Sequence, residues 1–182
     1  MPRIPLISDK SDLPADRHAE FDAIVEVLNG VRGPFSILMR SPGLAQKVME
    51  AGAHVRLQST LQSAERELAI LAVAREKDAA YEWAAHVTVG RRAGMGEEVI
   101  ETVRNRGDVS DLQPDERDII TFVRQLLQTN RVEQSIFDAL LSRHDERWLV
   151  ELTATVGQYQ YISAINNAFD IQPAPDADQL PV

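Results

Sequence analysis

The sequence predicts an all-α protein, and three observations support this fold class. Apolar residues recur three and four positions apart through most of the chain, as on one face of a helix. No segment shows the strict apolar–polar alternation that is typical of a β-strand. The breaks between periodic segments carry helix stop and start signals, such as Asn29-Gly30 and Ser41-Pro42. We therefore expect a series of helices joined by short connections.

Length and composition predict one domain spanning residues 1–182. The chain has 182 residues, of which 44% are hydrophobic, so it is long enough to bury a substantial core. It contains no cysteine, which excludes disulfides and thiolate sites. The formal net charge of -9 argues against nucleic acid as a partner. Met1–Asp9 is no signal peptide and no apolar run spans a bilayer, so we expect a cytoplasmic protein without membrane contact.

The first third of the chain is predicted to form an arm followed by helices. Residues 1–14 form an extended N-terminal arm ending at Leu13-Pro14, and the helix from Ala15 to Leu28 has apolar residues at helical spacing. The apolar segment Phe35–Met39 is too short to classify from its period. Ser41-Pro42 then starts a helix that we expect to end near His54.

The remaining helices follow in order at short intervals. They begin near Ser63, Tyr81, Gly96, Pro114, Ile136 and Glu146, and the last runs to about Ala168 before an irregular tail at 172–182. The helix that begins at Pro114 is apolar on more than one face between Ile119 and Leu127. We expect a neighbouring subunit to cover part of it, and thus a closed homo-oligomer.

The main candidate site is a pair of residues on the Tyr81–Gly94 helix. Glu82 and His86 are four positions apart and share a face with Ala79 and Val89, so the carboxylate can orient the imidazole in apolar surroundings. Glu67, on the preceding helix, also borders apolar residues. Buried ionisable groups are typical of acid–base sites, so these three residues are the catalytic candidates. A carboxylate-rich metal site is an alternative, but it lacks a second histidine, and we expect no metal and no cofactor.

Four further residues are weaker candidates for substrate binding. His54 and Arg56 lie between two predicted helices, where polar residues more often simply face water. Arg56 is the candidate for an anion clamp. Tyr81 and Trp83 flank Glu82 but project from other faces of its helix, where aromatic residues more often pack in a core or an interface.

The stretch RELAILAVAREKDAAYEWAAHVTVGRRAG resembles the carboxymuconolactone decarboxylase family of the alkylhydroperoxidase D-like superfamily. The following GEEVIETVR also matches it, and RWLVELTATVGQYQYISAINNAF does so more loosely. In the peroxidase branch a Glu precedes a Cys-x-x-Cys-x-x-x-His motif. These positions are Glu67, Ala79, Glu82 and His86 here, so both thiols are missing. The remaining Glu-x-x-x-His resembles the decarboxylase branch. The resemblance implies a helical fold with an antiparallel helix hairpin at its core and flanking helices, assembled as trimers or hexamers.

The resemblance also implies a function. It suggests a cofactor-independent lyase or isomerase acting on a small carboxylate-bearing lactone or unsaturated acid, as in the decarboxylation of 4-carboxymuconolactone to 3-oxoadipate enol-lactone. His86 would exchange protons, Glu82 would orient it, and Glu67 would relay protons or hold a neutral substrate oxygen. A non-catalytic binding or assembly protein on the same fold is the alternative. Peroxidase activity is disfavoured because the chain has no cysteine.

Overall fold

The computed structural model describes residues 2–181, and this part of the chain is all-helical. Nine α-helices follow one another within it: α1 His18–Leu28, α2 Pro34–Leu38, α3 Pro42–Leu57, α4 Ser63–Glu76, α5 Ala80–Arg92, α6 Glu97–Arg104, α7 Pro114–Thr129, α8 Gln134–Leu141 and α9 Glu146–Phe169. The predicted fold class is confirmed.

Helix α4 is the centre of the molecule. Residues 67–75 are buried on every side of it, because α5, α7 and α9 all pack against it. A helix that is apolar all round needs such surroundings. Its N-terminus is closed by a capping box between Gln62 and Glu65, so the cap lies one residue before the predicted Ser63.

A tight turn joins α4 to α5 and makes them an antiparallel hairpin, as expected. Asp78 takes the left-handed conformation (φ 47°) in this turn, and its carboxylate accepts hydrogen bonds from Arg75 at 2.6 Å and Arg106 at 3.0 Å. These bonds hold a conformation that residues other than glycine rarely adopt. The hairpin brings the first turn of α4 beside the second half of α5.

The N-terminal third forms a smaller core of its own. Ile7 of the arm is buried, and its N–H donates to the Ser36 carbonyl at 2.9 Å. A 3₁₀ turn at Lys10–Asp12 interrupts the predicted extended arm, and Phe35–Met39, which was unclassified, lies mostly within the short helix α2. Ile162 of α9 completes this cluster. The long helix α9 therefore joins the two cores.

The helix α3 runs further than the sequence predicted. It ends at Leu57 rather than near His54, so His54 and Arg56 lie in its last turn and not in a connection. No proline or glycine stops the helix at residue 54, and the chain turns only after Gln58. This places Arg56 on a rigid element.

Helix α7 packs against other helices of the same chain on more than one side. Ile119, Ile120, Phe122 and Val123 are buried, and α7 packs against α4 on one side and α8 on another within the same chain. Its broad apolar surface is thus explained without a partner. Assembly into a trimer or hexamer remains a prediction from the family resemblance.

The tail after α9 has no regular structure but is held against the body. Leu180 is buried in the main core, and Arg75 donates to the Pro181 carbonyl at 3.0 Å. Asp178 accepts from Trp83 and Arg91, each at 3.0 Å. Each helix in this described part of the chain is too short or too polar to cross a lipid bilayer.

Candidate active site

The α4–α5 hairpin brings the three catalytic candidates together. Glu67 projects from the first half of α4, and Glu82 and His86 project from α5 toward it. All three side chains are buried, with no more than 10% of the side-chain surface of any of them exposed. Burial of ionisable groups is costly unless they are paired, and here each carboxylate lies beside the imidazole.

Glu67, rather than Glu82, makes the close hydrogen bond to His86. The distance from His86 Nδ1 to Glu67 Oε2 is 2.7 Å, whereas that from His86 Nε2 to Glu82 Oε2 is 3.5 Å. The sequence favoured Glu82 because it lies one turn away on the same helix, but the imidazole reaches across the hairpin. With Nδ1–H donating to Glu67, Nε2 is left to exchange a proton on the side of Glu82.

Glu82 is a buried carboxylate with a second partner on α9. Asn166 Nδ2 donates to Glu82 Oε1 at 2.7 Å, and Asn166 is itself buried. Burial raises the pKa of Glu82, while the neighbouring His86, the Asn166 hydrogen bond and the charge of Arg56 oppose that rise. The protonated form of Glu82 is therefore favoured more than in an ordinary carboxylic acid, which suits a group that holds and releases a proton.

Glu82 and His86 open onto a cavity of about 240 Å³. A cavity of this size is suited to a small-molecule ligand. Its walls are largely apolar, and they come from the loop before α2 and from α2, α3, α5 and α9. The lining residues include Phe35, Met49, Tyr81, Val89, Gln158 and Ile162. Glu67 does not line the cavity; it lies behind His86.

Two arginines line the same cavity at its exposed side. Arg56, from the last turn of α3, has no hydrogen bond or ion pair with any residue of the described part of the chain. Arg32, which the sequence analysis did not select, donates a hydrogen bond to the Asn29 carbonyl. Burial raises the pKa of Tyr81, and the nearby charge of Arg32 opposes this rise. An unpaired guanidinium at a cavity rim is suited to a carboxylate of a ligand.

Two of the weaker predictions are not supported by the geometry. Trp83 is fully buried on the far side of α5, where its indole N–H donates to Asp178 and Arg104 lies 4.9 Å from the ring centroid. His54 does not line the cavity; its side chain is 53% exposed and Nε2 lies 3.9 Å from Glu151 Oε1. Tyr81 and Arg56 do line it.

The structure adds Tyr159 and Asn166, which the sequence analysis did not select as site residues. Tyr159 of α9 lines the cavity and meets His86 edge-on, with ring centroids 5.0 Å apart and planes at 88°. Asn166 lies two turns further along the same helix. The sequence of this segment indicates only a helix that packs against other helices. The contact of α9 with the α4–α5 hairpin is needed to identify both residues as part of the site.

Comparison with known proteins agrees with this architecture. Residues 42–125, which include Glu67, Glu82 and His86, match the Carboxymuconolactone decarboxylase family. No curated protein matches the chain's sequence. Several solved structures share the fold, and three of them span almost the whole chain.

The first of these structures is an uncharacterized peroxidase-related protein with an alkylhydroperoxidase AhpD core from Ralstonia eutropha JMP134 (TM-score 0.78, 18% identity, 96% of this chain and 93% of that one). The second is a peroxidase-related protein from Silicibacter sp. TM1040 (TM-score 0.77, 18% identity, 99% and 96%). The third is the debrominase Bmp8, with a cysteine replaced by alanine and 2,3,4-tribromopyrrole bound (TM-score 0.71, 15% identity, 96% and 95%). The match to the family model covers the residues that carry the sequence resemblance, and the chain shares the helical fold of these solved structures.

Proposed function

We propose that the protein is a cofactor-independent acid–base lyase or isomerase that acts on a small lactone or unsaturated acid bearing a carboxylate. The observation that carries the proposal is the arrangement of His86. Glu67 holds its Nδ1 at 2.7 Å from behind, and its other nitrogen lies beside Glu82 at a small cavity. A histidine that is oriented on one side and open on the other is suited to proton transfer.

The roles differ from those first expected. Glu67 is the residue that orients His86, because it makes the short hydrogen bond and lies outside the cavity. Glu82 lines the cavity and its pKa is raised by burial, so it serves as the second proton-holding group. Arg56 binds a carboxylate of the substrate, since the guanidinium is otherwise unpaired within the described residues.

These groups can supply the proton transfers that the reaction needs. In a decarboxylation the bond between carbon and the carboxylate breaks, carbon dioxide leaves, and the electron pair moves into the conjugated carbonyl system to give an enolate. Protonated His86 or Glu82 then delivers a proton to carbon. In an isomerisation, one of the two groups removes a proton from carbon and one returns a proton at another carbon. Neither route calls for a thiol, and the chain has no cysteine.

The test is a turnover assay on a panel of lactone acids and unsaturated acids, beginning with 4-carboxymuconolactone. The reaction is run in deuterated water and followed by NMR, which shows both loss of carbon dioxide and the carbon that receives deuterium. His86→Gln should lower the rate by a factor of about 10² to 10⁴, the usual effect of losing a general acid–base group. His54→Gln is the matched control, because His54 is exposed and outside the cavity.

The anion site is tested in the same assay. Arg56→Gln should raise KM for carboxylate substrates, whereas Arg92→Gln, which replaces an exposed arginine away from the cavity, should not. Absence of turnover for the entire panel, relative to heat-inactivated protein, would contradict the proposal. If thermal-shift measurements then showed binding of these acids, the binding-protein alternative would be favoured instead.

A further inference from the structure

Tyr159 is a buried phenol at the wall of the cavity. Only 5% of the residue is exposed, and its ring packs edge-on against His86 with centroids 5.0 Å apart. It lies on α9, the longest helix, so its position is fixed by a rigid element. Tyr159 lines the cavity together with Arg56, Glu82 and His86, so it belongs to the same site.

The hydroxyl of Tyr159 has no hydrogen-bond partner in residues 2–181. This is unusual, because the phenol oxygen of a buried tyrosine normally finds a partner. Thr155, one turn earlier on α9, shows the normal case: its hydroxyl donates to the Glu151 carbonyl at 2.8 Å. Ser163, one turn later, has a hydroxyl that is sealed in the interior without a partner. Tyr159 is not sealed in this way, since it lines the cavity and its hydroxyl reaches the open space.

The phenol is held in its neutral, donating form. Burial raises the pKa of Tyr159; the charge of Arg56 opposes this rise, and the carboxylates of Glu82 and Glu67 add to it. A neutral phenol can donate one hydrogen bond to an oxygen in the cavity without giving up its proton. Such a donor is most effective where negative charge develops during a reaction.

We propose that the Tyr159 hydroxyl donates a hydrogen bond to a carbonyl oxygen of the substrate and stabilises the enolate that forms there. This inference rests on the proposed function and narrows its substrate class to acids with a carbonyl conjugated to the reacting carbon. When the bond to the departing carboxylate breaks, its electron pair moves onto this carbonyl oxygen. Tyr159 keeps its proton throughout, and His86 or Glu82 protonates the carbon.

Tyr159→Phe removes only the hydroxyl and keeps the ring against His86. Tyr161→Phe is the matched control on the same helix, since Tyr161 is 37% exposed and does not line the cavity. Loss of one such donor lowers kcat by a factor of about 10² to 10³. We expect this loss for Tyr159→Phe on the best substrate of the panel, with KM changed far less, and no change for Tyr161→Phe. Circular dichroism melting is the control, and it should show that both variants are folded.

A spectroscopic readout separates a hydrogen bond from a packing effect. The probe is a saturated γ-lactone carboxylic acid labelled with carbon-13 at the lactone carbonyl; it carries the carboxylate and carbonyl of the proposed substrates but lacks the unsaturation that the reaction needs. Infrared spectroscopy should show its carbonyl stretch at lower frequency in the wild type and in Tyr161→Phe than in Tyr159→Phe, because a donor weakens the carbonyl bond.

Two results would overturn the inference, and the second of them would also overturn the proposed function. If the stretch is the same in the wild type and Tyr159→Phe while the panel assay shows turnover, Tyr159 is not the donor and the proposed function stands. If neither the probe nor any carbonyl acid of the panel binds or reacts, the inference and the proposed function both fail.

Discussion

The C-terminal tail gives a prediction whose magnitude follows from the structure. The carboxylate of Asp178 accepts hydrogen bonds from Trp83 and Arg91 at 3.0 Å, and Arg104 lies 2.7 Å away. Burial alone would raise its pKa, but these three partners outweigh burial and lower the pKa from 3.8 to about 2. The ionised carboxylate is thus more stable in the folded chain than in the unfolded one.

The perturbation is Asp178→Asn. Each pKa unit corresponds to about 1.4 kcal/mol, so the lowering of the Asp178 pKa to about 2 sets an upper limit of about 2.5 kcal/mol. Solvent reaches 20% of the side chain, and screening reduces the expected loss in free energy of unfolding to about 1–2 kcal/mol. For a chain of this size the melting temperature should fall by about 2–8 °C at pH 7.

The effect should depend on pH in a defined direction. Because the folded-state pKa is lowered, the stabilisation is complete well above 3.8, the value for an unperturbed Asp, and is lost as the pH falls toward 2. Differential scanning calorimetry at pH 7 and pH 3 should therefore show a smaller difference between wild type and Asp178→Asn at pH 3. Asp176→Asn is the control, because Asp176 is exposed in the same tail.

A pH-independent difference, or an equal loss in Asp176→Asn, would refute this reasoning. The variant also tests the placement of Trp83. Since neither Asp178 nor Trp83 lines the cavity, turnover per folded molecule should not change. If Asp178→Asn lowered turnover without unfolding the protein, Trp83 would again be a candidate site residue.

Further predictions concern the site and the assembly. Glu82→Gln should raise the melting temperature more at pH 8 than at pH 4. Burial raises the pKa of Glu82, so the ionised carboxylate destabilises the fold at pH 8, whereas the protonated form at pH 4 does not. Equal shifts of the melting temperature at both pH values would contradict this. Asn166→Ala removes a hydrogen bond that lowers the pKa of Glu82, so any limb of the pH–rate profile due to Glu82 should move to higher pH, whereas Asn167→Ala should leave it in place. Light scattering at micromolar concentration should show a trimer or hexamer, and a monomer would refute the prediction from the resemblance. Purified protein should not catalyse thiol-dependent reduction of organic hydroperoxides, because it has no cysteine; turnover above a heat-inactivated control would oppose this.

The sequence predicted the helices well because their signals are local. Apolar spacing and the residues at helix ends depend only on neighbours in the chain, and most predicted bounds lie within a few residues of the observed ones. The end of α3 was missed because the sequence Ala53-His54-Val55-Arg56 carries no stop signal. The packing of α7 on more than one side was predicted, but apolar periodicity does not show whether a surface is covered by the same chain or by another.

The sequence identified the acid–base residues but not their arrangement. Glu82 and His86 share a helix, so their proximity follows from the helical repeat. The shorter contact between His86 and Glu67 spans 19 positions and depends on the packing of the hairpin. Tyr159 and Asn166 are more distant still, and the long-range packing of α9 alone brings them to the site.

The proton-transfer residues and much of the cavity wall come from different parts of the chain. Residues 42–125, the part that matches the family, hold Glu67, Glu82, His86 and Arg56, but much of the cavity wall lies outside this range. Residues 28–35 supply one side of it, and residues 158–162 supply another. Exchanging residues 28–35 between relatives should therefore change substrate preference and leave Glu67, Glu82 and His86 in place, whereas exchanging residues 158–162 would also replace Tyr159. These two segments are therefore targets for engineering substrate selectivity. Because both lie outside the range that matches the family, differences between paralogues in these segments would be hard to detect in a search for the shared motif.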